Sequence, residues 1–242
     1  MRRLIAAACC ATLTGTAWAG AQKYEDLTAS VRAGLHKQVS DQAAPFLAFD
    51  TVDEARAWLD AMSKKLERRI PDRHTREEFL VTVHYEAKRA GLDPQLVLGL
   101  IQVESNFRKH AVSSAGARGY MQVMPFWIKL SENTQDNLFN LRTNLRYGCW
   151  ILRRYLDIER GDYFRALGRY NGSLGQADYP NAVVRAWITN WKYPVRAVYR
   201  VGRLDHTAVS RTGAPAAAAG SLCVNNCSSD ICRWPPMRVD SS

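Results

Sequence analysis

Residues 93–125 read DPQLVLGLIQVESNFRKHAVSSAGARGYMQVMP, and their order decides the fold. Asp93 has the character of a helix N-cap, and Pro94 suits the first helical position. Leu96 to Val103 is almost wholly apolar, so the helix it forms is expected to be buried on most sides. Such a helix is the central element of a small α-domain. Glu104 follows on its last turn, where a helix carries partial negative charge. That position and the apolar neighbours disfavour an ionised carboxylate and are expected to raise its pKa. Ser113-Ser114-Ala115-Gly116 is a small-residue turn, after which a second helix is expected.

Outward from this stretch the pattern stays helical. Upstream, Val52 to Ile70 places Ala55, Leu59, Met62 and Leu66 at helical spacing, and Pro71 stops it. Thr75-Arg76-Glu77-Glu78 reads as a capping-box start, with Phe79, Val83, Ala87 and Ala90 following and Gly91 as the end. Downstream, Leu141 to Tyr155, Tyr163 to Tyr170 and Asn181 to Trp191 predict further helices. No run alternates as a strand does, so the fold class is mainly α. Met1-Arg2-Arg3, an apolar stretch and Ala17-Trp18-Ala19 form a secretory signal peptide over residues 1–19. Residues 20–74 are an N-terminal helical extension with the expected role of packing on the main domain at 75–203. Residues 204–242, rich in Ala, Ser, Pro, Gly and Thr, read as a flexible tail.

The chain has 242 residues, 47% of them hydrophobic, which suffices for one domain with a real core plus extensions. A net charge of +10 steers polyanions to the surface. Export points away from nucleic acid and toward an anionic envelope polymer. Once the leader is removed, no segment predicts stable membrane insertion. Cys149, Cys223, Cys227 and Cys232 would remain in an oxidising compartment, where disulfides are permitted; either a tail cysteine reaches Cys149 or one thiol stays free. Nothing marks His206 as a fourth ligand, so neither a metal nor a cofactor is expected.

Glu104-Ser105, the run Gly119-Tyr120-Met121-Gln122-Val123-Met124-Pro125 and the later Arg169-Tyr170-Asn171-Gly172-Ser173 occur together. The segment 104–125 with this later Tyr-Asn pair resembles the lytic transglycosylases, whose catalytic module is lysozyme-like and cuts peptidoglycan glycan strands. The resemblance covers roughly residues 75–195 and includes a helix with Asn144 and Gly148. It implies Glu104 as the single acid and base, and Ser113 as a contact to that acid or to the substrate N-acetyl group. It implies a Tyr170 hydroxyl bonded to Glu104, and Gly119, Gln122, Met124 and Asn171 along the sugar cleft. Tyr120, Arg169 and Gly172-Ser173 depart from the family pattern and bear on the fine shape of that cleft. The implied partner is peptidoglycan in the periplasm, and a secretion or envelope machine is compatible with it. Two other readings fit the residues: a lysozyme-type hydrolase that uses water, and an inactive peptidoglycan-binding or assembly protein.

Overall fold

The structure, a computed structural model, describes residues 22–193. The leader at 1–19 and the tail at 204–242 lie outside the described residues, as do the tail cysteines. Among the described residues, eight α-helices follow a non-helical strap over residues 22–28: α1 (Ala29–Val39), α2 (Val52–Leu66), α3 (Arg73–Arg89), α4 (Pro94–Ser105), α5 (Phe126–Leu130), α6 (Leu141–Ile158), α7 (Tyr163–Asn171) and α8 (Asp178–Arg185), which runs into a π-helical turn at Ala186–Asn190. Among the described residues there is no strand, only isolated bridges.

The central helix is α4. Asp93 accepts the Gln95 N–H (2.7 Å), and Pro94 opens the first turn. Leu96, Val97, Leu98, Leu100 and Ile101 are all fully buried. Packing them against α3, α8 and the π-helical turn removes several large aliphatic side chains from water, each contributing about 1.5–3 kcal/mol. Asn106 ends the helix in the left-handed region (φ 48°), a conformation asparagine tolerates.

Three boundaries differ from the sequence expectation. The cap of α3 is Asp72, whose carboxylate accepts the Thr75 N–H and hydroxyl, so the helix begins ahead of the Thr75 capping box. Residues 106–125 do not start a helix after Gly116. They form a tied loop, because the backbone takes positive φ at Gly119 (76°) and Gln122 (49°), which a right-handed helix cannot hold. The last helix begins at Asp178 rather than Asn181.

The N-terminal helices share one core with the rest. Leu35, Trp58, Met62 and Leu66 are buried in the same cluster as α4 and α6. Glu86 on α3 is buried and receives Nε of Arg142 and of Arg146 on α6, both at 3.1 Å. Arg146 also donates to the carbonyls of Val39 and Asp41, so one guanidinium joins α1, α3 and α6. Asp41 bonds Arg89 (2.5 Å); the Ala43 N–H, and after it Arg89, hold its carboxyl down at about 2. Cys149 is a free, buried thiol on α6, pushed well up by burial.

His84 on α3 is buried between Phe49 (stacked, 4.6 Å) and Trp58 (edge-on, 4.9 Å). Burial, and after it Lys88, lowers its pKa from 6.5 to about 4. Above 6.5 both folded and unfolded chains carry it neutral. As pH falls below 6.5 the unfolded chain takes up the proton while the fold does not until about 4. The fold should therefore lose about 2–3 kcal/mol between pH 7 and pH 4.5 from this one group. Urea unfolding of the wild type and His84→Phe at both pH values checks this. An equal acid loss in the two proteins would remove His84 as the cause.

Candidate active site

Glu104 is buried on the last turn of α4, 7% exposed. The Tyr179 hydroxyl donates to its Oε1 at 2.5 Å. Tyr179 lies in the first turn of α8 and is fully buried. Burial, and after it the charge of Glu104, pushes the Tyr179 hydroxyl well above its usual range. It is therefore a hydrogen-bond donor throughout the working pH range.

The loop after α4 is fastened at every turn. Ser105 donates to the Tyr120 carbonyl (2.7 Å), so the residue beside Glu104 holds the start of the motif. Arg118 and Val123 exchange N–H bonds to carbonyls (2.9 and 3.0 Å), and Gly119 N–H reaches the Ala111 carbonyl (2.9 Å). From α6, fully buried Asn144 accepts the Met121 N–H (2.8 Å) and donates to the carbonyls of Arg118 (2.8 Å) and Leu138 (2.9 Å). A Cβ on Gly119 would lie 2.4 Å from Asn144 Nδ2 and 2.5 Å from the Leu138 carbonyl. A Cβ on Gly148 would strike Met121 Sδ at 2.4 Å. Gly119 and Gly148 are thus the two places where the loop and α6 come too close for a side chain.

The other residues expected at the site take definite places. Tyr170 is fully buried, but its hydroxyl donates a hydrogen bond to the Met121 carbonyl (2.7 Å), not to Glu104 as expected. The bond to the Glu104 carboxylate comes from Tyr179, nine residues further on. Tyr170 still lies close enough to feel Glu104: burial first and then that charge push its hydroxyl well up, while a hydrogen bond from Gln22 acts the other way. Gln122 is buried and directs its amide inward, to the carbonyls of Gly119 (2.9 Å) and Ala111 (3.2 Å). That side chain holds the left-handed bend at its own backbone. Half-buried Ser113 accepts the Ala117 N–H (3.1 Å). Asn171 donates to Ser173 Oγ (3.1 Å) at the end of α7, and half-buried Met124 packs against the core.

Tyr179 had no motif to mark it. A Tyr-Pro pair at the start of a predicted helix is the only local signal, and the partner is 75 residues away in sequence.

Glu104, Tyr179 and the fastened loop are held as one unit, and this stretch is also where known proteins match. A family model described as Transglycosylase SLT domain matches residues 82–185. The chain carries a lytic transglycosylase SLT-type domain. Membrane-bound lytic murein transglycosylase C of Haemophilus influenzae is 30% identical over 214 residues, covering 73% of this chain and 59% of that protein. A transglycosylase of Enterobacteria phage PRD1 is 36% identical over 98 residues, covering 40% of this chain and 36% of its own. Among solved structures, an inactive mutant of lytic transglycosylase Slt from Pseudomonas aeruginosa is 26% identical, with a TM-score of 0.37, over 59% of this chain and 22% of that one. The chain therefore spans less than two thirds of the length of these relatives. The SLT domain takes in α4, the fastened loop, α6, α7 and Tyr179, while the strap, α1 and α2 precede it. Among the described residues no helix is long and apolar enough to cross a membrane.

Proposed function

We propose that this protein is a peptidoglycan lytic transglycosylase of the periplasm, exported by its leader. It would cleave the β-1,4 bond between N-acetylmuramic acid and N-acetylglucosamine. The observation that carries this is Glu104: a buried carboxyl at the end of the central helix of an SLT domain, held by a tyrosine hydroxyl. Glycosidic cleavage needs a proton on the leaving oxygen, and a carboxylic acid supplies it. Glu104 protonates that oxygen as the bond to C1 breaks. It then takes the proton from the muramoyl C6 hydroxyl as that oxygen attacks C1. The ring closes to a 1,6-anhydro sugar, no water is consumed, and Glu104 ends protonated as it began. A second carboxylate is unnecessary because the nucleophile is already attached; such oriented groups reach effective molarities on the order of 10⁵ M.

Gly119 and Gln122 contribute by shaping the loop beside the sugar, and Tyr170 by holding Met121. Ser113, Met124 and Asn171 are the candidates to meet the glycan itself.

Tyr179→Phe is expected to keep the fold and lower turnover by about tenfold or more, since it removes the group that orients the acid. Turnover at the wild-type level would remove Tyr179 from the machinery.

Mass spectrometry of soluble products released from purified peptidoglycan tests the function. Anhydro-muramic ends are expected. Reducing muramic ends would mean that water is the nucleophile, as in a lysozyme. No product from folded protein would favour a binding or assembly role.

A further inference from the structure

Gln22 is the first described residue, sixty residues upstream of the SLT match, yet it is 3% exposed. Its Nε2 donates to the Gln122 carbonyl (3.1 Å), and its Oε1 accepts the Met124 N–H (3.0 Å). A side-chain carboxamide carries the same donor and acceptor as a peptide group. Gln22 therefore pairs with the loop backbone as a neighbouring strand would, from the Gln122 carbonyl to the Met124 N–H on either side of Val123. The carbonyl of Met121 is the one that accepts the Tyr170 hydroxyl.

The rest of the strap is fastened to the same two parts of the site. The Tyr24 ring meets Phe126 edge-on at 5.6 Å, directly after the loop. Glu25 pairs with Arg169, the neighbour of Tyr170 on α7, at 3.6 Å. Leu27 is buried in the core. The ion pair is partly exposed and contributes little by itself. Gln22 is the buried, directional anchor.

We propose that Gln22 is a positioning residue of the active site. Its carboxamide holds the Gln122–Met124 backbone, which directly follows the Met121 carbonyl that accepts the Tyr170 hydroxyl, so that the strap is part of the catalytic unit. This rests on the transglycosylase reading above.

The test compares the full mature chain with Gln22→Ala, Gln22→Glu and Glu104→Gln. Gln22→Ala is expected to lower kcat on the order of tenfold or more, as small misplacements at a site do, with KM little changed. The Met124 N–H should then exchange with solvent at least about tenfold faster, since it has lost its acceptor. Gln22→Glu keeps the shape and the acceptor but not the donor, and should fall between. It carries the test if Gln22→Ala does not fold.

Wild-type kcat or wild-type Met124 exchange in a folded Gln22→Ala would overturn the inference. So would a loss of rate that only tracks the unfolded fraction. Failure of the wild type itself to release anhydro products would instead sink the enzymatic reading, and Met124 exchange would still report whether Gln22 holds the loop.

Discussion

Glu104→Gln should bind glycan strands and melt close to the wild type while releasing anhydro products more slowly by a factor on the order of 10³ or more. The amide is nearly the size of the carboxyl, and its oxygen can still accept the Tyr179 hydroxyl that now reaches Oε1 at 2.5 Å. The packing of α4 is thus unchanged in outline. What is lost is the proton. A carboxamide neither protonates the glycosidic oxygen nor collects a proton from the attacking hydroxyl, so both halves of the proposed reaction fail together. Product release by mass spectrometry, alongside thermal melting, reads the two effects separately. A folded variant that cuts at a comparable rate would end the single-acid mechanism. A variant that loses fold and activity together would show that the Tyr179–carboxylate contact is chiefly structural.

The local parts of this site were legible in the sequence because they depend on nearby residues. Asp93-Pro94 and the apolar run after it foretold a capped, buried helix with Glu104 on its last turn, and α4 is that helix. The loop does not show in the sequence, because small residues after Ser113 suit a helix cap as well as a tight turn. What forbids the helix is a set of distant hydrogen bonds, above all from Asn144. The same reason hid Tyr179 and Gln22, whose partners are 75 and about 100 residues away. Tyr170 is buried near the site, but its hydroxyl donates to the Met121 carbonyl instead of Glu104. A residue type predicts that a buried hydroxyl will find a partner, not which partner it finds. The acid chemistry could thus be inferred from a few adjacent residues, whereas the groups that orient it come from α6, α8 and the strap.

Asn144→Ala should be the most destabilising single change at the site, at about 3–5 kcal/mol. Asn144 is fully buried and serves the Met121 N–H and the carbonyls of Arg118 and Leu138 at once. Truncation leaves the Met121 N–H and the Leu138 carbonyl without this partner in a dry place, where each lost bond costs about 1–3 kcal/mol, while the Arg118 carbonyl keeps the Val123 N–H. Set against a total stability of about 5–15 kcal/mol, that is a large fraction. Asn144→Asp should be no better. Its carboxylate can still accept the Met121 N–H but would face two carbonyl oxygens with no proton to offer. Gly119→Ala attacks the same point from the other side, because its Cβ would sit 2.4 Å from Asn144 Nδ2. In the double variant that clash disappears, while the contact with the Leu138 carbonyl at 2.5 Å and the left-handed φ of 76° persist. The two losses should therefore add to less than their sum, and urea unfolding of the four proteins measures the coupling. A loss below about 1 kcal/mol for Asn144→Ala, within the range of a single ordinary hydrogen bond, would mean that the loop holds its shape without α6.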